Sequence, residues 1–153
     1  MKSFTTATLL LILPTLLFAV PVPIHMGVPF ELAPGQSAEL MDGDLYLVFT
    51  GILSESRCPL GAICVWEGDA EAAVVGDLPG EIQFNCILHT STMFAQSCDM
   101  DPYKVFLLRV DPYPVLGAPP IDPMDYRATL IIVEAGPVDL EKKAWGSIKA
   151  LFR

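Results

Sequence analysis

The sequence predicts an all-β fold, an antiparallel sandwich or barrel of about six to eight strands with a short C-terminal helix. Three observations carry this. Short runs of β-branched, aromatic and aliphatic residues are divided by Gly, Pro and Asp turn punctuation. No helical periodicity intervenes between those runs. Four cysteines, Cys58, Cys64, Cys86 and Cys98, are spaced to staple such a scaffold.

Taken in order, residues 1–19 read as a secretory signal peptide. Lys2 precedes an apolar run from Leu9 to Ala19, and Ala19 is small enough to precede a cleavage point, although Leu17 is bulkier than the residue usual two positions earlier. A membrane anchor is the rival reading. It needs about 20 apolar residues, and this run is shorter and holds Pro14. Residues 20–27, Pro-alternating from Val20 to Met26, read as an exposed, extended leader, since proline cannot donate to a ladder.

A disulfide-stapled β domain is expected over 28–136. Its strands fall near Val28 to Leu32, Ser37 to Leu40, and Leu45 to Leu53, with Asp42-Gly43-Asp44 as a hairpin turn. The third run is apolar on both faces and reads as a central strand. Cys64 to Val75, Glu81 to Thr90, a return toward Cys98, and Tyr103 to Val110 follow. Tyr126 to Glu134 alternates, with Tyr126, Ala128, Leu130 and Ile132 on one face. Between the last two strands, prolines at 112, 114, 119, 120 and 123 stiffen a loop long enough to bind something. Over 137–153, Leu140, Ala144, Ile148, Leu151 and Phe152 recur at helical spacing beside Lys142, Lys143, Lys149 and Arg153. This amphipathic helix is read as packed on or trailing from the acidic body, in preference to lying on a membrane.

A mature chain of about 134 residues fits one domain. The precursor carries net charge −9 with its acids scattered, which suits a solvated surface. The same balance excludes nucleic acid, whose phosphates require clustered Lys and Arg. An even cysteine count in a chain with an export signal implies disulfides and a secreted or periplasmic address. Local pairing, Cys58–Cys64 and Cys86–Cys98, closes the shortest loops, each worth about 2–3 kcal/mol in the loop-entropy picture. The spacing fits neither a zinc knuckle nor a C-x-x-C redox pair.

No catalytic constellation stands out. His89 and Ser91 are near in sequence, but no G-x-S-x-G elbow accompanies them. The acidic turns Asp42-Gly43-Asp44, Asp99-Met100-Asp101 and Asp122 with Asp125 lack calcium-loop spacing. His25 with Met26 is thin support for copper. No metal and no cofactor is therefore assigned. Arg57, Trp66 and Tyr113 are the candidate contact residues, because Arg, Trp and Tyr dominate binding hot spots and two of these three flank the first cysteine pair. The competing and preferred reading of that segment is a rigid corner starting a strand, with Arg57 bonding loop carbonyls or pairing with Glu55 or Glu67. Gly68 permits a bulge or a close backbone approach there.

The runs Gly35-Gln36-Ser37-Ala38-Glu39-Leu40, Ser56-Arg57-Cys58-Pro59 and Cys64-Val65-Trp66-Glu67-Gly68-Asp69-Ala70 resemble a group of uncharacterised small exported proteins, mostly bacterial. Tyr103 to Leu107, Asp111 to Pro114 and Asp125 to Ala128 resemble it too, so the likeness spans about residues 30 to 134. It implies a family and an export route but no activity. The function expected is a non-enzymatic exported β domain that binds an envelope or extracellular protein. An inhibitor of secreted hydrolases and a carboxylate-based enzyme are the alternatives.

Intact mass without reductant tests the frame. The expected result is cleavage near Ala19 and a mass four hydrogens below the reduced chain, one pair for each bridge among the four cysteines. An uncleaved mass, or thiols open to alkylation, would remove the compartment argument.

Overall fold

A strand turns alternate side chains to opposite faces, so a sheet with one apolar face needs a second layer to cover it. In the computed structural model, which describes residues 20–80 and 83–135, two sheets cover each other. The strands are β1 (Val22–Ile24), β2 (Phe30–Leu32), β3 (Ser37–Leu40), β4 (Tyr46–Glu55), β5 (Ala70–Asp77), β6 (Phe84–His89), β7 (Ser97–Met100), β8 (Tyr103–Asp111) and β9 (Arg127–Glu134). One sheet runs β1-β3-β4-β5-β6 and the other β2-β9-β8-β7. Every pairing is antiparallel except β1 with β3. Each sheet keeps its own edges, so the architecture is an open sandwich and not a closed barrel. Among the described residues the only helical element is a 3-10 turn at Pro123–Asp125, capped by the Asp122 side chain. The signal peptide expected at 1–19 and the helix expected over 137–153 lie outside the described residues.

Alternation works as the pattern requires in β5 and β9. Ala70, Ala72 and Val74 point inward from one sheet, and Ala128, Leu130 and Ile132 from the other. Tyr126, just before β9, continues the same buried row. Phe49, Leu47, Leu88, Leu130, Ile132 and Val105 fill the space between. Gly76 in β5 leaves the room that the Met100 thioether occupies from the opposite sheet, so this glycine serves sheet-to-sheet packing.

One expectation holds and one needs correction. β4 is the central strand of its sheet, with one face buried and the other open. Leu47 and Phe49 are buried, whereas Tyr46 and Leu53 face solvent, as an antiparallel sheet permits when one of its faces packs on the core. The register also shifts between Phe49 and Gly51, a bulge that changes which residues face inward beyond that point. The Pro-alternating stretch, expected as an exposed leader, contributes β1 and buries Ile24. An edge strand bonds on one side only, so prolines there cost it little. From β1 the chain crosses between sheets, where the Gly27 amide donates to the Ile132 carbonyl at 2.8 Å.

Both disulfides form between the expected partners. Cys86–Cys98 joins β6 to β7, an edge strand of each sheet, and so closes one flank of the sandwich. Cys58–Cys64 closes a loop beyond the end of β4. Such bridges persist in an oxidising compartment.

Phe49→Ala should lower stability by about 3–5 kcal/mol through a core cavity. Ile87→Ala, half-exposed on the outer face of β6, should stay within about 0.5 kcal/mol. Urea unfolding with the disulfides intact checks both.

Candidate functional site

The β4–β5 hairpin does not end with its strands. Beyond Glu55, the Ser56 amide donates to the Asp69 carbonyl at 2.7 Å and the Cys58 amide to the Glu67 carbonyl at 2.8 Å. The Ser56 hydroxyl seals this stem, donating to the Asp69 carbonyl and accepting from the Asp69 amide. Gly68 sits in it at φ +75°, and a Cβ there would overlap Ser56 O and lie 2.7 Å from Arg57 Cα. Only glycine meets both the left-handed backbone and the close approach. Past the stem, Cys58–Cys64 closes a five-residue loop.

Arg57 does not present itself to solvent. Its residue is only 6% exposed. Nε bonds the two Glu55 carboxylate oxygens at 2.9 and 3.0 Å, and Nη2 meets Glu55 Oε2 as well. Nη1 donates to the Val110 carbonyl at 2.6 Å and Nη2 to the Pro112 carbonyl at 3.0 Å. The guanidinium carbon lies 4.7 Å from the centre of the Tyr113 ring. One planar fork thus ties the first sheet to the end of β8 and to the Pro-rich loop, with its charge balanced by Glu55. The Tyr126 hydroxyl donates to Glu55 Oε2 at 3.3 Å. Burial, and then the negative charge and hydrogen bond of Glu55, push the Tyr126 pKa above its ordinary value, with Arg57 opposing.

The two loops are laced to each other. Leu60 pairs with Val115 in a parallel bridge, its amide donating to the Pro114 carbonyl at 2.9 Å, and its own carbonyl accepts from the Leu116 amide at 3.0 Å. Apolar side chains stand out from this tip. Ile63 and Val65 are fully exposed, and Trp66 is half-exposed, with Leu60, Val115 and Leu116 similarly open. Tyr113 is 39% exposed and holds the Arg57 side of the tip. Beside it runs a cleft of about 380 Å³ between Pro59, Pro114, Pro119, Pro120, Ile121 and Tyr126. Of the three candidate contact residues, Trp66 and Tyr113 therefore offer surface, while Arg57 and Tyr113 are the two in direct contact.

A second polar cluster flanks the stem, which residue-by-residue reading of the sequence misses. Asp69 is 5% exposed. Its Oδ1 accepts from the Thr90 amide (2.9 Å), the Thr90 hydroxyl (3.1 Å) and the Ser91 amide (2.9 Å). Its Oδ2 lies 2.5 Å from His89 Nδ1. Burial raises the Asp69 pKa, but His89, Ser91 and Thr90 together outweigh it and leave the carboxyl below its ordinary value of 3.8. The Ser91 hydroxyl donates to Glu67 at 2.7 Å. Ser91 is therefore hydrogen-bonded to a carboxylate and not to His89, which is not the arrangement of a nucleophile with its base. His25 pairs with Asp42 at 2.9 Å on the surface.

Replacing Arg57 by Met should cost about 3–5 kcal/mol, because Glu55 is left without its partner in a largely buried site. Faster amide exchange across 111–121 should accompany it, and Arg57→Lys should restore only part, since an ammonium cannot reproduce the fork. Urea midpoints and hydrogen exchange measure these effects.

No family model matches this chain, and neither does any curated protein or solved structure.

Proposed function

We propose that this protein is an exported, non-enzymatic recognition module that binds another envelope or extracellular protein through the two-loop tip. The observation that carries the reading is the full exposure of Ile63 and Val65 next to Trp66 on a disulfide-closed loop. Apolar side chains held out in water by a rigid frame mark an interaction surface more often than a random scatter does. Pre-organisation adds to affinity, because the loops need little further ordering on binding. Trp66 and Tyr113 supply broad rims of contact, and Arg57 acts from behind by holding the Pro-rich loop in register. The acidic body, at net charge −9 for the precursor, favours a partner with a basic surround to an apolar pocket.

Capture from the envelope and secreted fractions tests this. The oxidised protein should retain a partner that an Ile63→Ser, Val65→Ser, Trp66→Ala triple variant loses by about tenfold or more in affinity, while the urea midpoint of the variant stays unchanged. Equal retention by both proteins, or no retention by either, would sink the proposal. A captured hydrolase whose activity falls on binding would narrow the role to inhibition.

A further inference from the structure

The cluster around Asp69 has a composition and geometry that the tip does not use. A carboxylate oxygen of Asp69, one of Glu71 and a His89 ring nitrogen lie within 4.8 Å of one another. Glu71 and His89 are cross-strand partners in the β5–β6 ladder, so sheet register, and not a loop, brings them to one face. Asp69 is held just as firmly. Three donors occupy Oδ1, which pins the carboxylate and leaves Oδ2 turned to the imidazole. Hydrogen bonds of that kind are the outer support that orients metal-ligating side chains.

Charge points the same way. Among the described residues, no Lys or Arg nitrogen lies within ion-pair distance of Asp69, Glu71 or Glu67, and His89 is the one basic side chain set against Asp69. One hydrogen bond to His89 satisfies Oδ2 and leaves the Glu71 carboxylate facing a buried anion. A divalent cation between them neutralises both.

We propose that Asp69, Glu71 and His89 form a binding site for one divalent transition-metal ion of the zinc class, taken through Asp69 Oδ2, His89 Nδ1 and a Glu71 carboxylate oxygen. The ion takes the place of the proton between Oδ2 and Nδ1, which passes to solvent. With bonds of about 2.0–2.1 Å, tetrahedral donors stand about 3.3 Å apart. The Asp69–His89 contact widens toward that separation and Glu71, half-buried at the strand surface, swings in. One imidazole with two carboxylates suits zinc, whereas calcium takes six to eight oxygens. All four cysteines are in disulfides and do not compete for the metal.

Untagged, oxidised full-length protein titrated with Zn²⁺ in a calorimeter tests the assignment, with Co²⁺ absorption reporting the ligand geometry. The expected result is one ion per chain, weakened at least about tenfold by Glu71→Gln and by His89→Ala, and unchanged by His25→Ala. Urea midpoints confirm that each variant is folded, and Glu71→Gln, at a partly exposed position outside the Asp69 hydrogen bonds, keeps the test valid if His89→Ala does not fold. No binding up to millimolar zinc would overturn the proposal. So would unchanged affinity in either folded variant, loss in His25→Ala, or equally tight binding of Ca²⁺.

Discussion

The buried guanidinium of Arg57 is the contact on which the functional end of this molecule depends. A charge taken out of water is tolerated only where partners replace its hydration. Here Glu55 supplies the countercharge, and the carbonyls of Val110 and Pro112 each take one further donor. Those carbonyls belong to the other sheet and to the loop that leaves it, so satisfying the cation and joining the two layers are one act. Arg57 can do this because the residues around it are themselves fixed. The stem from Ser56 to Cys58 is paired with Glu67 to Asp69, and Gly68 lets the two backbones come close enough.

The same stem carries the second buried charge. Arg57 and Asp69 stand on its two strands and do not pair with each other. Each reaches outward to a different segment, Arg57 to residues 110–113 and Asp69 to residues 89–91. A short two-stranded ribbon is marginal by itself. Two charge-assisted networks and a disulfide make this one rigid. That rigidity explains how Ile63 and Val65 can stand in water without the loop folding back over them. At the edge of the same stem the β5–β6 register sets Glu71 and His89 beside Asp69.

How far the sequence could be read depended on the range of each interaction. Strand alternation is local, so the buried row Tyr126, Ala128, Leu130 and Ile132 was legible without a structure. So was the pairing of cysteines six and twelve residues apart. Arg57 stands two residues from Glu55, so that pair was within reach of the sequence, but its bonds to Val110 and Pro112 were not, because those residues lie more than fifty positions away. The Asp69 cluster was invisible for the same reason. Asp69 and His89 are twenty residues apart, and only the β5–β6 register sets them face to face. Val22 to Ile24 was misread because proline speaks against a ladder in general, while an edge position removes the objection.

Composition and period by themselves pointed to short antiparallel strands, to acids scattered along the chain, and to cysteines that close two local loops. These follow from preferences of neighbouring residues, which need no knowledge of the fold. Tertiary structure alone decided that the strands form an open sandwich, that the outer face of β4 meets solvent, and which side chains are held out at the tip. It also decided that Arg57 turns inward while Trp66 stays at the surface. The physical reason is that burial and charge compensation are properties of the space around a side chain, and that space is built from segments distant in sequence.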